Sequence, residues 1–257
     1  MPGYFHFCAH EQFPPDDLLR QAVEAERAGF DGIGCSDHLQ PWWEGGQSGH
    51  AWVWLGAAAQ ATEQVPIGTG VTPPGPRYHP VLIAQAWATL ETMFPGRPYL
   101  GFGSGESLNE SPLGADWPPV GQQIERMEEA LELIHRLFDG ERVDHDGAHF
   151  STKGAYLHTR PARRPPIYVS AFGPQAAGVA GRWGDGLWTL ADPEQAPKVI
   201  GRELLVGGTV EVTHRRPPTR GRRRLTTGVV GELGPISTSL MANRGPERVQ
   251  FRSNTRR

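Results

Sequence analysis

The chain has 257 residues, 38% hydrophobic and 21% charged, enough apolar content to fold as one large α/β domain or two small ones. Its net charge of −3 hides a division: residues 1–200 hold 13 Lys+Arg against 24 Asp+Glu, whereas residues 201–257 hold 12 Arg, no Lys and 4 Asp+Glu. No apolar run reaches the ~20 residues of a membrane helix, no basic-then-apolar leader opens the chain, and Cys8 and Cys35 lack metal-ligand spacing and read as reduced, buried thiols, so a cytoplasmic protein without membrane partners is expected.

Short apolar runs alternate with helical patterns up to about residue 200. Tyr4–Ala9 reads as the first strand, and Pro14-Pro15-Asp16-Asp17 opens a helix whose apolar face is Leu18, Leu19, Ala22, Val23, Ala25 and Ala28. Phe30–Cys35 is the second strand, His50–Glu63 a helix, and Val65–Val71 the third strand. Pro80–Met93 is helical, Pro98–Gly103 is the fourth strand, and Val120–Phe138 carries the clearest helical periodicity, with Ile124, Met127, Leu131, Ile134 and Leu137 on one face. Val143–Phe150 predicts a hairpin around an Asp146-Gly147 turn. Pro166–Ala171 is the fifth strand, a helix ending at Trp183 follows, and Gly186–Leu190 is the sixth strand. Six β-then-α steps with continuously apolar strands imply a parallel sheet covered by helices. An open doubly wound sheet and a (β/α)8 TIM barrel both fit; spacing and strand-end residues favour an incomplete barrel over residues 1–200.

The stretch 201–257 is rich in Arg, Gly and Pro, with Phe251 its one aromatic residue, and is expected to lie outside the barrel as an irregular basic tail. A nucleic-acid-binding tail is one reading. A GC-rich gene read in the wrong frame is the favoured one, because evolved basic tails mix Lys with Arg. A barrel lacking two units would have open sheet edges, and marginal stability is expected of it.

Barrel strands present their C-terminal ends to the active face. The second strand ends in Ser36-Asp37-His38-Leu39-Gln40-Pro41-Trp42, where an acid beside a histidine can hold one imidazole tautomer and an indole can cover the base. A satisfied structural Asp37–His38 pair is the bland alternative, outweighed by the strand-end position and by Glu106 on the fourth strand's exit. The third strand's exit, Gly70-Val71-Thr72-Pro73-Pro74, offers bent backbone to a planar ring. The fourth, Gly103-Ser104-Gly105-Glu106-Ser107-Leu108-Asn109-Glu110, allows close ligand approach. Ala171-Phe172-Gly173-Pro174 opens a helix whose N-terminus suits phosphate. Trp52, Trp54, Trp87 and Trp183 fall on helical patterns and read as core. His6, His10, His145 and His149 form no two-His-plus-acid set, so no metal is expected, and P-loop and nucleophile-elbow motifs are missing.

These motifs, with Arg77-Tyr78-His79-Pro80 and Gly181-Arg182-Trp183-Gly184-Asp185-Gly186, resemble the bacterial luciferase-like superfamily over residues 1 to about 200, closest to the branch containing deazaflavin-dependent glucose-6-phosphate dehydrogenase. The resemblance implies a (β/α)8 barrel binding FMN or the deazaflavin F420 at its C-terminal face. It implies His38 as the base, Asp37 orienting it and touching the cofactor, Trp42 stabilising the transition state, and Glu106 donating a proton to the ring. Gly70-Val71 matches a non-prolyl cis peptide against the ring. Gly105, Asn109, Ala171, Phe172 and Gly173 match cofactor contacts. Three positions depart from the dehydrogenase pattern: Pro73 replaces a hydroxyl residue, Phe172 replaces a glycine and crowds the cofactor loop, and Pro193 replaces a phosphate-binding lysine. Glucose 6-phosphate is therefore set aside as specific substrate. The expected activity is hydride transfer between an alcohol-type small molecule and F420 or FMN, without nucleic acid, with a homodimer as the candidate assembly. An FMN-dependent monooxygenase and an inactive truncated family member are the alternatives.

Overall fold

A computed structural model describes residues 4–189 and the backbone of a strand at 205–207. The elements run β1 (Phe5–Cys8), α1 (Pro15–Arg27), β2 (Gly32–Cys35), α2 (Ala51–Ala61), β3 (Ile67–Thr69), α3 (Pro80–Met93), β4 (Pro98–Phe102), α4 (Ser107–Glu110), α5 (Val120–Asp139), β5 (Val143–Asp146), β6 (Ser151–Ala155), β7 (Ile167–Ser170), α6 (Pro174–Trp183), β8 (Gly186–Trp188) and β9 (Leu205–Gly207).

Seven strands form one sheet in the order β1-β2-β3-β4-β7-β8-β9, with every adjacent pair parallel. A doubly wound sheet reverses its strand order at a switch point; this order runs in one direction along the chain, as in a (β/α)8 barrel. The seventh strand, β9, pairs with β8 and falls within the stretch that composition assigned to the tail. The rest of 190–257, including Leu190 of the expected sixth strand, lies outside the described residues.

Local chemistry explains the helices. Pro15 stands at the first position of α1 with Asp16 and Asp17 in its first turn, and Leu18, Ala22 and Ala25 are buried. In α5 the buried face is Met127, Ala130, Leu131, Ile134, Leu137 and Phe138, and Gly140 ends the helix at φ +86°. Each fully buried Leu or Ile there stabilises the fold by roughly 1.5–3 kcal/mol.

The hairpin β5–β6 reaches further than expected. Its reversal spans residues 147–150 rather than two turn residues, because Glu129 of α5 accepts from His145 Nε2, His149 N and Phe150 N and so holds the loop open against the helix.

Two apolar layers result. Outside the sheet, Ile33, Cys35, Leu100, Val169 and Leu187 meet the helices. Inside it, Tyr99 and Trp188 pack with Phe5, Phe7, Val71 and Tyr168. Glycines on β2 make room for these rings: a Cβ at Gly32 would meet the Phe5 ring at 2.2 Å. Cys8 and Cys35 are both buried as free thiols, and burial pushes both thiols up.

Candidate functional site

The C-terminal ends of β2, β3 and β4 bring three loops together, and the loop from β2 carries the expected acid and base. Asp37 does not hold His38. Its Oδ1 accepts from Arg77 Nη1 at 3.0 Å and Tyr78 OH at 3.1 Å, and its Oδ2 accepts from Thr72 Oγ1 at 2.6 Å and Trp52 Nε1 at 3.2 Å. With its side chain 1% exposed and each oxygen already taken by two donors, Asp37 anchors the loop from beneath instead of orienting the imidazole. Its neighbours carry the electrostatic imprint. Burial alone would lower the Arg77 pKa, but the Asp37 and Glu110 carboxylates raise it, whereas burial and Asp37 together push Tyr78 well up.

His38 is directed elsewhere. Its Nε2 lies 3.8 Å from Glu106 Oε2, and its Nδ1 is buried with no protein hydrogen-bond partner. The Trp42 indole meets the His38 ring edge-on, with centroids 5.6 Å apart, and is itself exposed. Glu106 is 56% exposed and His38 12%, so the carboxylate reaches solvent while the imidazole is sheltered. A sheltered base beside a solvent-linked acid can move a proton between a bound molecule and water.

The β4 exit explains the position of Glu106. Gly105 sits at φ +90°, where a side chain is strained, and a Cβ there would press on Pro73 Cβ at 3.0 Å. Glu106 then precedes the short helix α4. Asn109 of α4 is buried. Its Oδ1 accepts from Leu39 N and Gln40 N, and its Nδ2 donates to Glu106 Oε2 at 3.4 Å, so it ties the two loops to each other rather than standing open to a ligand.

At the β3 exit the Gly70–Val71 peptide is cis and the next residue, Thr72, is hydrogen-bonded to β4 through Gly101 O. Half-buried Gly70 and Val71 lie over the inner aromatic layer, with Trp188 and Phe7 directly behind Gly70. The β7 exit places Ala171 in the interior, its carbonyl accepting from Thr189 Oγ1, and Gly173 as the N-cap of α6 with open space around its Cα. Phe172 points outward, 72% exposed, so it does not crowd the loop interior as expected.

Arg77, Tyr78, Trp52, Glu110 and Thr72 are the functional residues that sequence reasoning missed. The signal lay in Arg77-Tyr78-His79-Pro80. Arg77 and Tyr78 hold Asp37, His79 accepts from Val81 N at the start of α3, and Pro80 takes its first turn. Trp52, placed in the core by its helical spacing, is only partly buried and spends its indole N–H on Asp37 while stacking on Tyr78 at 4.0 Å. Trp54 and Trp87 are core residues, their N–H groups donating to Pro15 O and Tyr99 O, and Trp183 is partly buried with its N–H on Glu128. Among the described residues no group of three His, Cys, Asp or Glu is placed to hold a metal ion.

Comparison with known proteins agrees with this geometry. The family model of luciferase-like monooxygenases matches residues 3–204. An F420-dependent glucose-6-phosphate dehydrogenase of Microbacterium testaceum is 48% identical over 190 residues, covering 73% of this chain and 56% of that protein. An F420-dependent hydroxymycolic acid dehydrogenase of Mycobacterium tuberculosis is 41% identical over 227 residues, 87% of this chain and 62% of that protein. The chain thus spans little more than half the length of the curated relatives it matches. A solved F420-dependent secondary alcohol dehydrogenase, in complex with an F420-acetone adduct, superposes with a TM-score of 0.73 at 36% identity over 79% of this chain and 66% of that one. The names of the dehydrogenase relatives conflict with the exclusion of glucose 6-phosphate argued from Pro73, Phe172 and Pro193. Pro73 is buried against the Gly105 turn, Phe172 faces outward, and Pro193 lies outside the described residues. Seven parallel strands in one-way order, the His38–Glu106 pair and the match over residues 3–204 have one conclusion: the chain belongs to the luciferase-like monooxygenase family.

Proposed function

We propose that the chain is the catalytic face of an oxidoreductase that moves a hydride between the carbon of a hydroxyl-bearing small molecule and the deazaflavin F420. The observation that carries this reading is the His38–Glu106 pair, 3.8 Å apart across the β2 and β4 exits. The residues present fit a planar cofactor. Val71 and Gly70 are half-buried with rings packed behind them, Gly105 and Gly173 present no side chain, and His38 keeps a buried nitrogen without a partner. F420, when bound, supplies a flat two-electron acceptor for hydride.

The protein's own part is proton handling and placement. His38 takes the proton of the substrate hydroxyl as the carbon–hydrogen bond is spent. Glu106, exposed and adjacent, holds the proton destined for the cofactor side and exchanges it with water. Trp42 covers His38 and keeps water from the base. Gly70, Val71 and Gly105 would underlie the ring, and Ala171, Phe172 and Gly173 would lie towards its phosphate at the start of α6.

The family's own description as monooxygenases supports a second reading, in which reduced FMN and oxygen replace F420. For assembly, a homodimer is supported by exposed Val53 on α2 and by Leu82 and Met93 on α3; sedimentation equilibrium of the purified chain checks it, and a monomer at all concentrations sinks it.

Fluorescence titration of the purified chain with F420 and with FMN, followed by assays with glucose 6-phosphate and with propan-2-ol, tests the function. Saturable F420 binding and substrate-dependent loss of oxidised F420 are expected. FMN binding with oxygen uptake would replace this reading by the monooxygenase one, and binding of neither cofactor would overturn both.

A further inference from the structure

A chain of buried charges runs beneath the candidate site. Arg77, on the loop between β3 and α3, spreads its guanidinium over two neighbouring loops. Nη1 and Nη2 donate to the carboxylate and the carbonyl of Asp37, each at 3.0 Å, and Nε donates to Glu110 Oε1 at 3.1 Å. The side chains of Asp37, Arg77 and Glu110 are between 1% and 7% exposed. Asp37 immediately precedes His38, and Glu110 closes the helix that Glu106 opens, its amide bonded to the Glu106 carbonyl. Beyond Glu110, Arg126 of α5 donates from Nη2 to Ser104 O at 3.4 Å, at the start of the loop that carries Glu106.

One oxygen of Glu110 and the Nε of Arg126 have no hydrogen-bond partner although both are buried. Burying three charges, with a fourth half-buried and the pairing imperfect, is poor economy for stability alone, since apolar side chains of similar size do as well or better. Such a cluster is better explained by what it aligns. A guanidinium is suited to this task because its donors are fixed in one plane, and a lysine could not reach three acceptors on two loops at once.

We propose that Arg77 and Glu110 are positioning residues that set the spacing between His38 and Glu106. Neither side chain bonds to the His38 or Glu106 side chain. Arg77 locks the β2 exit through both groups of Asp37, Glu110 locks α4 against the same guanidinium, and Arg126 pins the loop between them. Asn109 supplies the remaining tie, from α4 to the amides of Leu39 and Gln40. A displacement of about 1 Å between reacting groups costs on the order of 100-fold in rate, so a rigid plate beneath the site has a direct kinetic use. The inference rests on the proton-handling roles proposed above for His38 and Glu106, but its first test needs neither cofactor nor turnover.

The experiment reads the ring nitrogens of His38 by 15N NMR in the full chain. Glu106→Gln is expected to displace those signals in the wild-type background and to leave them nearly unmoved in an Arg77→Lys background, where the two loops no longer hold their spacing. Glu110→Ala serves as a second background, and as the sole one where Arg77→Lys does not fold; it removes a carboxylate with one oxygen already unpartnered. The same displacement in both folded backgrounds, or none in the wild type, overturns the proposal. In turnover, Arg77→Lys is expected to lower kcat by about tenfold or more with the Kd for F420 and the KM held. A merely structural role would reduce the folded fraction and leave kcat per folded molecule unchanged. A wild-type chain that neither binds nor reduces F420 sinks the functional reading, while the NMR arm still decides the positioning role.

Discussion

The two ends of the sheet are built differently. At the N-terminal ends of the strands, most polar groups among the described residues are paired within the fold, although one oxygen of the buried Glu91 is left without a partner. Arg97 donates to the carbonyls of Ala59, Thr62 and Val65 and to Thr62 Oγ1, and Glu26 accepts the amides of Glu63, Gln64 and Val65. Arg164 grips Asp185, which also accepts from Ile167 N. At the C-terminal ends the loops are equally well tied from below, by Asp37 and Arg77, yet His38 Nδ1 and Glu110 Oε2 are left without partners and Trp42, Trp43 and Phe172 are exposed. One end spends most of its polar groups on the fold; the other keeps more unspent, beside exposed aromatic rings. That asymmetry is what a barrel enzyme requires, because loops at the N-terminal face serve stability and loops at the C-terminal face serve chemistry.

The sharpest way to break this comparison is to remove the base. His38→Ala takes away a ring that is packed on Trp42 and faces Glu106 at 3.8 Å, with its Nδ1 unpartnered. Turnover of F420 is expected to fall by about 10²–10⁴-fold, while F420 affinity and the melting temperature stay near wild type. Stopped-flow absorbance with a saturating alcohol reads the first, and fluorescence titration reads the second. Unchanged turnover would remove His38 from the mechanism.

The opposite pattern is expected at the other end. Arg97→Ala removes the donors to three carbonyls and to the Thr62 hydroxyl at the junction of α2 with β3. A loss of about 2–3 kcal/mol in unfolding free energy is expected, read as a lower urea midpoint, with kcat per folded molecule unchanged. A selective loss of kcat would show that the N-terminal face reaches the chemistry after all.

The strands and the identity of the active end were legible in the sequence because both depend on local order: apolar runs of strand length, and the acid–histidine–indole stretch that follows one of them. What Asp37 does was not legible. Its donors come from Trp52, Thr72, Arg77 and Tyr78, which only the folded sheet brings to it, and adjacency in sequence suggested His38 instead. The tie between Asn109 and residues 39–40 hid for the same reason, since α4 is a single turn with no periodicity to read. The hairpin turn was misjudged because an Asp-Gly pair predicts a tight reversal, whereas Glu129, on a neighbouring helix, supplies partners to a longer one. Strand β9 is three residues long and sits in an Arg- and Gly-rich stretch whose composition argues against a strand; the short run Leu204-Leu205-Val206 was its one local trace.

The smallest effect falls on Asp185, and it tests whether the N-terminal face is held by charge or only by shape. Burial alone would raise the Asp185 pKa, but the Arg164 guanidinium and the Ile167 amide hold it below the usual carboxylate range. A depressed carboxylate contributes stability that is fully present above its unfolded value and is lost as the pH falls through the folded one. Both side chains are about a third exposed, so solvent screening limits the contribution to roughly 1 kcal/mol. Asp185→Asn should therefore lower the urea midpoint at pH 7, and its deficit against wild type should shrink as the pH drops below about 4. The Ile167 amide can still donate to the Asn oxygen, so a deficit that stays constant down to pH 3 would mean that the position is held by packing and that neutral hydrogen bond, and the charge contrast between the two ends of the sheet would no longer include it.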